Sequence, residues 1–156
     1  MKLSMPKERG PSISVIAGIS ERIGLVYFDV FAGSNNSDHF LSFLEHLKLH
    51  RDGRSTVVLD NLKIHKAKKL EAVYDEDFRE LYLPPYSSPL NPIEWLWAMV
   101  KQKWSKQLHQ FTERIYARQQ QDRITEEAVG AIRSMIGRWR LNLGKTDIGV
   151  TDWWSL

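Results

Sequence analysis

Apolar and polar positions in the first third of the chain predict a β-hairpin followed by a helix. Two runs rich in β-branched and aromatic residues, 13–19 and 25–31, flank a short turn that contains Gly24. Runs of this kind around a glycine-bearing turn are typical of paired antiparallel strands. After a loop the apolar positions change to a helical spacing, which predicts a helix with Ser37 or Asp38 as its N-cap. The apolar stripe of this helix consists of Phe40, Leu41, Phe43, Leu44 and Leu47.

The remainder of the chain alternates short apolar runs with helical patterns. The continuous apolar run at 56–59 predicts a strand that is covered on both faces, and 81–83 predicts a second short strand. The helical patterns cover 66–73, 92–108 and 125–140. A hairpin followed by strands that alternate with helices predicts an α/β domain with a mixed sheet.

Composition and charge narrow the class of protein. Hydrophobic residues make up 42% of the chain and charged residues 26%, which is ordinary for a globular domain. The chain has no cysteine, which excludes disulfides, thiolate metal sites and a cysteine nucleophile. The net charge is +3, and residues 101–140 hold nine basic and four acidic side chains. This excess of positive charge fits either a surface that faces DNA or a solvated helical surface.

The hydropathy of the chain bears on its location. No apolar run approaches the roughly 20 residues that a membrane helix needs, and the polar start, 1–12, has no signal or transit pattern. We therefore expect an intracellular protein, in the cytoplasm or nucleoid or in the nucleus of a eukaryote, with no membrane partner.

Two acidic residues stand where an α/β sheet gathers its functional groups. Asp60 follows the predicted strand at 56–59, and Glu94 falls in the first turn of the long predicted helix. Functional side chains of such sheets collect at the carboxyl ends of the strands. Each acid also has a purely structural explanation, because Asp-Asn often makes a turn and the helix dipole favours an acid in the first turn.

The sequence around the two acids is more specific than the acids alone. The first block reads Val-Val-Leu-Asp-Asn-Leu-Lys-Ile-His-Lys-Ala from Val57, and the second reads Leu-Pro-Pro-Tyr-Ser-Ser-Pro-Leu-Asn-Pro-Ile-Glu-Trp-Leu-Trp from Leu83. These blocks closely resemble the second and third catalytic motifs of mariner-type DDE transposases, especially the bacterial insertion-sequence branch. The 33 residues between Asp60 and Glu94 match the short spacing of that family. The resemblance extends over roughly 12–108.

The resemblance implies an RNase H-like mixed sheet flanked by helices and a site for two divalent metal ions. Asp60 and Glu94 would be metal-binding catalytic carboxylates, and Asn61, His65 and Asn91 would support them. Oxygen ligands of this kind select Mg²⁺ or Mn²⁺, and two such ions suit in-line displacement at a phosphodiester. Three lysines after Glu94 are weaker candidates for contacts with DNA phosphates. They are Lys101, Lys103 and Lys106.

The chain departs from the family pattern at its first catalytic acid. The family carries three carboxylates, and the first lies on a central first strand upstream of the segment that corresponds to 13–19. No aspartate occurs within 1–12, and Asp29 on the predicted hairpin is a weak substitute. The resemblance therefore implies a sheet that lacks its first strand and leaves neighbouring strand edges open. We expect a polar remnant at 1–12, a truncated catalytic domain at 13–108 and a helical extension at 109–156.

The predicted function is metal-dependent DNA strand cleavage and transfer, as in transposition and integration, by a fragment that is inactive alone. Its partners would be DNA at transposon ends and a polypeptide that carries the missing strand, and the complete enzyme would be a homo-oligomer. One alternative is a non-catalytic DNA-binding or transposase-associating remnant. Another is a different RNase H-fold nuclease, against which the proline-rich block before Glu94 argues.

Overall fold

The predicted hairpin forms part of an antiparallel sheet. The computed structural model describes residues 2–3, 12–87, 90–116 and 121–143. Strand β1 (Lys2–Leu3), β2 (Ile13–Ser20) and β3 (Gly24–Ala32) form this sheet in the order β1-β2-β3. Gly24 has a φ of 75°, a left-handed conformation that glycine adopts without strain, so the chain reverses tightly into β3. The predicted hairpin is therefore confirmed.

The second sheet is parallel and has β4 (Ser55–Leu59) beside β5 (Phe78–Tyr82). Parallel neighbours need a crossover, which here contains two short 3-10 helices, Lys63–Lys66 and Lys68–Ala72. The prediction of one helix over 66–73 is wrong. Ala67 has an extended backbone, with φ −70° and ψ 127°, and this interrupts the helical turns.

Three helices flank the sheets in the described part of the chain. They are α1 (Ser37–His50), α2 (Ile93–Tyr116) and α3 (Gln121–Leu143). The N-cap of α1 is Asn36, not Ser37 or Asp38 as predicted, because its side chain accepts hydrogen bonds from two backbone amides of the first turn. Helix α2 continues past the predicted end at residue 108. None of these helices has the length and apolar character that crossing a membrane requires.

The core has two parts, one on each side of the antiparallel sheet. The strands β2 and β3 alternate their side chains between the two faces, so neighbouring residues such as Leu25 and Val26 enter different parts. One face packs against α2 and α3. The buried residues there are Ile13, Val15, Leu25, Val30, Leu96, Val100, Trp104, Ala128, Ile132, Met135 and Ile136.

The other part of the core joins the two sheets through α1. It combines Ile16 and Val26 of the antiparallel sheet with Leu59 and Phe78 of the parallel pair. The α1 residues between them are Phe40, Phe43, Leu44 and Leu47. The parallel pair therefore takes its position from the packing of α1.

The strand β4 is covered on one face and open on the other, which corrects the prediction from its apolar run. Leu59 is buried and Val57 is half-buried, but Val58 is 46% exposed. Its neighbour in register on β5, Leu81, is 56% exposed. The helix α1 packs against one face of this pair, and no described element buries the other.

The free strand edges bear on the predicted absence of a first strand. Strand β1 pairs with the beginning of β2, Lys2 with Ser14 and Leu3 with Ile13. The rest of that edge of β2, and the edge of β4 opposite β5, have no strand partner among the described residues. The architecture is mixed α/β with helices around the strands, as predicted, but its strands form an antiparallel and a parallel sheet rather than one mixed sheet.

Two glycine substitutions test the backbone geometry. Gly130→Ala should raise the free energy of unfolding by about 1 kcal/mol, because this exposed glycine lies inside α3 and a Cβ there meets no atom within 4 Å. Gly53→Ala has equal space but a φ of +68°, so it should lower that free energy by about 1 kcal/mol. Urea unfolding followed by circular dichroism measures both. Effects of the same sign would contradict the assigned conformations.

Candidate active site

Asp60 directly follows β4, at the carboxyl end of the parallel pair. Its Oδ1 atom accepts a hydrogen bond from the backbone amide of Leu62 at 3.1 Å and lies 2.8 Å from Nδ1 of His65. Its Oδ2 atom makes no hydrogen bond to any described residue, and the side chain is 46% exposed. The carboxylate is thus oriented through one oxygen, and the other remains available to a ligand.

The His65 ring is held firmly behind Asp60. Its side chain is 12% exposed and its ring centroid lies 4.2 Å from that of Phe40 on α1. The Tyr82 hydroxyl donates to the backbone carbonyl of His65 at 2.7 Å. Burial lowers the pKa of His65, although the nearby Asp60 acts in the opposite direction. The ring is therefore neutral near pH 7 and donates from Nδ1 to the Asp60 carboxylate.

Asn61 ties the ends of the two parallel strands together. Its side-chain amide donates to the backbone carbonyl of Leu83, while the Leu83 amide donates to the Leu59 carbonyl at 2.8 Å. Lys66 donates to the Asn61 side-chain oxygen at 2.7 Å. The chain that leaves β5 is therefore fixed beside Asp60.

Asn91 and Glu94 form the beginning of α2. The Asn91 side-chain oxygen accepts from the Ile93 amide at 3.3 Å, and its backbone carbonyl accepts from the Glu94 amide at 3.0 Å. Glu94 is exposed, whereas Leu96 two positions on enters the core and sets the rotation of the helix. A carboxylate in the first turn is also stabilised by the helix dipole.

The structure thus arranges the predicted site residues in two clusters, one of Asp60, Asn61 and His65 and one of Asn91 and Glu94. A single segment, 83–91, leads from the first cluster to the second. No group of three or more histidine, cysteine, aspartate or glutamate side chains able to hold a metal occurs among the described residues. Chemistry with two metal ions requires the carboxyl groups of both clusters to approach one another. We predict a separation of about 4–8 Å between those of Asp60 and Glu94.

Asp29 serves a structural role. Its Oδ1 atom accepts from the Val30 amide at 2.8 Å and from Arg133 of α3 at 3.1 Å. Arg133 also donates to the Val30 carbonyl at 2.6 Å. The guanidinium of Arg133 lies against the carboxylate that we considered as a substitute for the missing acid, and its positive charge disfavours a metal cation there.

A lysine cluster beside Asp60 escaped the sequence analysis. Four lysines fall within the seven positions 63–69, and all four are exposed: Lys63, Lys66, Lys68 and Lys69. Lys69 pairs with Asp38, and Lys66 lies 5.4 Å from the Tyr82 ring centroid. Lys63 and Lys68 have no hydrogen bond or ion pair to a described residue. The density of lysines after Asp60-Asn61 is the feature of the sequence that indicates this cluster.

The lysines predicted on α2 are also at the surface. Lys101, Lys103 and Lys106 are exposed, whereas Trp104 of the same helix is buried in the core. Their helix carries Glu94 at its start. They are thus accessible to a large polyanion, as DNA-binding residues must be.

The candidate site contains side chains of the chemical type that binds a divalent metal ion. Asp60 and Glu94 offer exposed carboxylate oxygens, which are the ligands that Mg²⁺ and Mn²⁺ prefer. Hydrogen bonds to a ligating carboxylate from a neutral histidine and a backbone amide are also usual around bound metals.

Comparison with known proteins supplies the family. The family model described as DDE superfamily endonuclease matches residues 2–116, about three quarters of the chain. No match was found among curated proteins or among solved structures. The matched stretch includes Asp60, His65 and Glu94. It also includes the lysines of 63–69 and those of 101–106. The chain belongs to the DDE superfamily endonucleases, a family that cleaves DNA.

Proposed function

We propose that this chain takes part in metal-dependent DNA strand cleavage and transfer, as a mariner-type transposase of the bacterial insertion-sequence branch. The observation that carries the proposal is the Asp60 carboxylate inside the endonuclease match, oriented through Oδ1 with Oδ2 available. A purely structural Asp-Asn turn does not require the buried histidine that also contacts this carboxylate.

The proposed metal ligands are Asp60 and Glu94, with Mg²⁺ or Mn²⁺ as the ion. When bound, a pair of such ions stabilises the entering and leaving oxygens of an in-line displacement at phosphorus. His65 holds the Asp60 carboxylate at a fixed rotation by donating to Oδ1. Asn61 and Asn91 position the two clusters, because one fixes the chain after β5 and the other caps the helix that carries Glu94.

The DNA partner is held through its phosphates. Lys63 and Lys68 follow Asp60 by three and eight positions, are exposed and have no anionic partner among the described residues, so their charges are available to a phosphate backbone. Lys101, Lys103 and Lys106 extend the positive surface along α2. Contacts of this kind position a nucleic acid without reading its sequence.

We further propose that a third carboxylate comes from outside the described residues. Those residues contribute Asp60 and Glu94, and Asp29 is engaged with Arg133. The free edges of β2 and β4 offer backbone groups to an added strand, and a polypeptide strand with an aspartate would supply both pairing and ligand. The complete enzyme would then act as a homo-oligomer on transposon ends, in the cytoplasm or nucleoid or in a eukaryotic nucleus.

A second candidate function is non-catalytic. The absence of a three-ligand group among the described residues favours a remnant that binds DNA or associates with intact transposase subunits. In this candidate the lysines would bind DNA and the free strand edges would pair with an intact subunit. Glu94 would have no role in it. Activity measurements separate the two.

The first test is catalytic. The purified chain should neither nick nor join DNA in Mg²⁺ or Mn²⁺, because two carboxylates leave a metal pair under-coordinated. Addition of a polypeptide with the missing strand and its aspartate should restore cleavage, and Asp60→Asn or Glu94→Gln should abolish it. Cleavage by the purified chain alone would contradict the need for an outside carboxylate. Failure of every such polypeptide to restore cleavage would favour the non-catalytic candidate.

The second test concerns His65. His65→Ala should weaken Mn²⁺ binding about 10–100-fold, since the carboxylate loses the donor that orients it. His65→Asn should lose less, because the asparagine amide can still donate to Oδ1. Electron paramagnetic resonance of free Mn²⁺ measures the affinity, and His50→Ala on the exposed surface of α1 is the matched control. Equal affinities for His65→Ala and the control would argue against a metal at Asp60.

The third test measures how much the lysines contribute to the salt dependence of DNA binding. Replacing both Lys63 and Lys68 with alanine should reduce the slope of log K against log salt concentration by about 2, roughly one per lost phosphate contact. Lys69→Ala should change it less, because that lysine is paired with Asp38. Fluorescence anisotropy with a duplex across a range of KCl concentrations provides the slope. An unchanged slope in the double variant would remove these lysines from the DNA surface.

A further inference from the structure

Tyr86 has an unusual backbone and a fully exposed ring. It lies in the segment between β5 and α2, its relative exposure is 102%, and its φ is 62°. Among the described residues it is the one non-glycine with a positive φ. A large aromatic side chain is disfavoured both in this conformation and in full contact with water.

The local turn does not explain a tyrosine at this position. Pro85 followed by a residue of positive φ fits a type II turn, in which glycine or asparagine is favoured at the position of Tyr86. Either would relieve the backbone, and the ring buries nothing in return. Strained residues of this kind collect at functional sites because the surrounding structure holds a side chain where it is used.

The hydrogen bonds of Leu83 limit how far Tyr86 can lie from the candidate active site. Three residues earlier, Leu83 is hydrogen-bonded to Leu59 and to Asn61. Three peptide units span at most about 11 Å, so the backbone of Tyr86 lies within that distance of Leu83. The intervening Pro84 and Pro85 limit the freedom of this short segment. Tyr86 therefore belongs to a short segment of limited freedom that starts from the chain fixed beside Asp60.

The two clusters of the candidate site carry further groups that suit a nucleic acid strand. Trp95, directly after Glu94, is 56% exposed, and Lys66 lies beside Asn61. Exposed aromatic rings next to cations are the arrangement that binds unpaired nucleotides, with bases stacked on the rings and phosphates at the lysines. In intact duplex the faces of the bases are covered by their neighbours, so a ring can stack only on a base that is unpaired or terminal.

We propose that Tyr86 stacks on an unpaired base of the DNA strand held at the Asp60 and Glu94 site, and that the chain consequently prefers DNA with unpaired bases over intact duplex. The inference rests on the proposed function in taking DNA as the substrate. It adds a preference for the form of that DNA and assigns the preference to one residue.

The test compares two DNAs of the same sequence, a blunt duplex and a duplex with a short single-stranded overhang that carries 2-aminopurine. Anisotropy without divalent metal gives both affinities, so cleavage is not needed. Tyr86→Asn removes the ring and keeps a residue that tolerates positive φ, Tyr86→Phe keeps the ring, and Leu49→Ala, at another exposed apolar residue, is the control. The melting temperature of each variant shows that it folds.

Tyr86→Asn should weaken binding to the overhang about 5–100-fold, the value of one stacked base, and weaken duplex binding less, because only the terminal pairs of the blunt duplex have an uncovered face. Its melting temperature should not fall. Tyr86→Phe should retain the preference and the quenching of 2-aminopurine, and Leu49→Ala should match the unaltered chain.

Equal affinity of the unaltered chain for the two DNAs, or equal losses on both in Tyr86→Asn, would overturn the inference and leave the proposed DNA partner in place. Absence of binding to either DNA would overturn the proposed partner as well. A concentration-dependent dimer that Tyr86→Asn dissolves, with unchanged DNA binding, would assign the ring to a contact between copies and also overturn it.

Discussion

The packing of α1 is the interaction on which the rest of the structure depends. No backbone hydrogen bonds of a shared sheet join the antiparallel strands to the parallel pair among the described residues. The two are held together instead by one apolar cluster that α1 completes with Phe40, Phe43, Leu44 and Leu47. Burial of a side chain of this size contributes about 1.5–3 kcal/mol, so four of them on one helix account for a large share of the stability of a small domain.

The candidate site follows from this packing in a definite order. The helix places Phe40 against the ring of His65, and His65 then orients the Asp60 carboxylate. The end of β5 is tied to the same place by Asn61. Glu94 is positioned from the opposite side of the antiparallel sheet, because the α2 residues that follow it enter the other part of the core. The proposed chemistry would therefore bring together elements that pack on different faces of one sheet.

The elements that the sequence predicts well are those set by local pattern. The hairpin follows from two β-rich runs around Gly24, and the stripe from Phe40 to Leu47 lies in the core as its helical spacing predicts. Predictions that depend on distant neighbours failed. The run around Val58 reads as a strand buried on both faces, but whether a second layer covers it is decided elsewhere in the chain.

The same limit applies to the site. The motif blocks predict Asp60 and Glu94 as site residues, but the partner of Asp29 lies 104 positions away on α3, and no local pattern indicates such a pairing. The strain at Tyr86 was equally inaccessible, because Pro-Pro-Tyr-Ser reads as an ordinary turn and does not reveal a positive φ on an aromatic residue.

The contact between Phe40 and His65 has a consequence for how this sequence can change over evolutionary time. Phe40 serves the core and the site at once, whereas Phe43, a neighbour of similar size, serves the core. A smaller apolar residue at either position leaves a void in the core. At position 40 it also removes the contact with the His65 ring, which can then rotate away from Asp60. Among homologous sequences that keep the site, position 40 should therefore vary less than position 43, although the two are almost equally buried. Homologues that have lost the site should show no such difference.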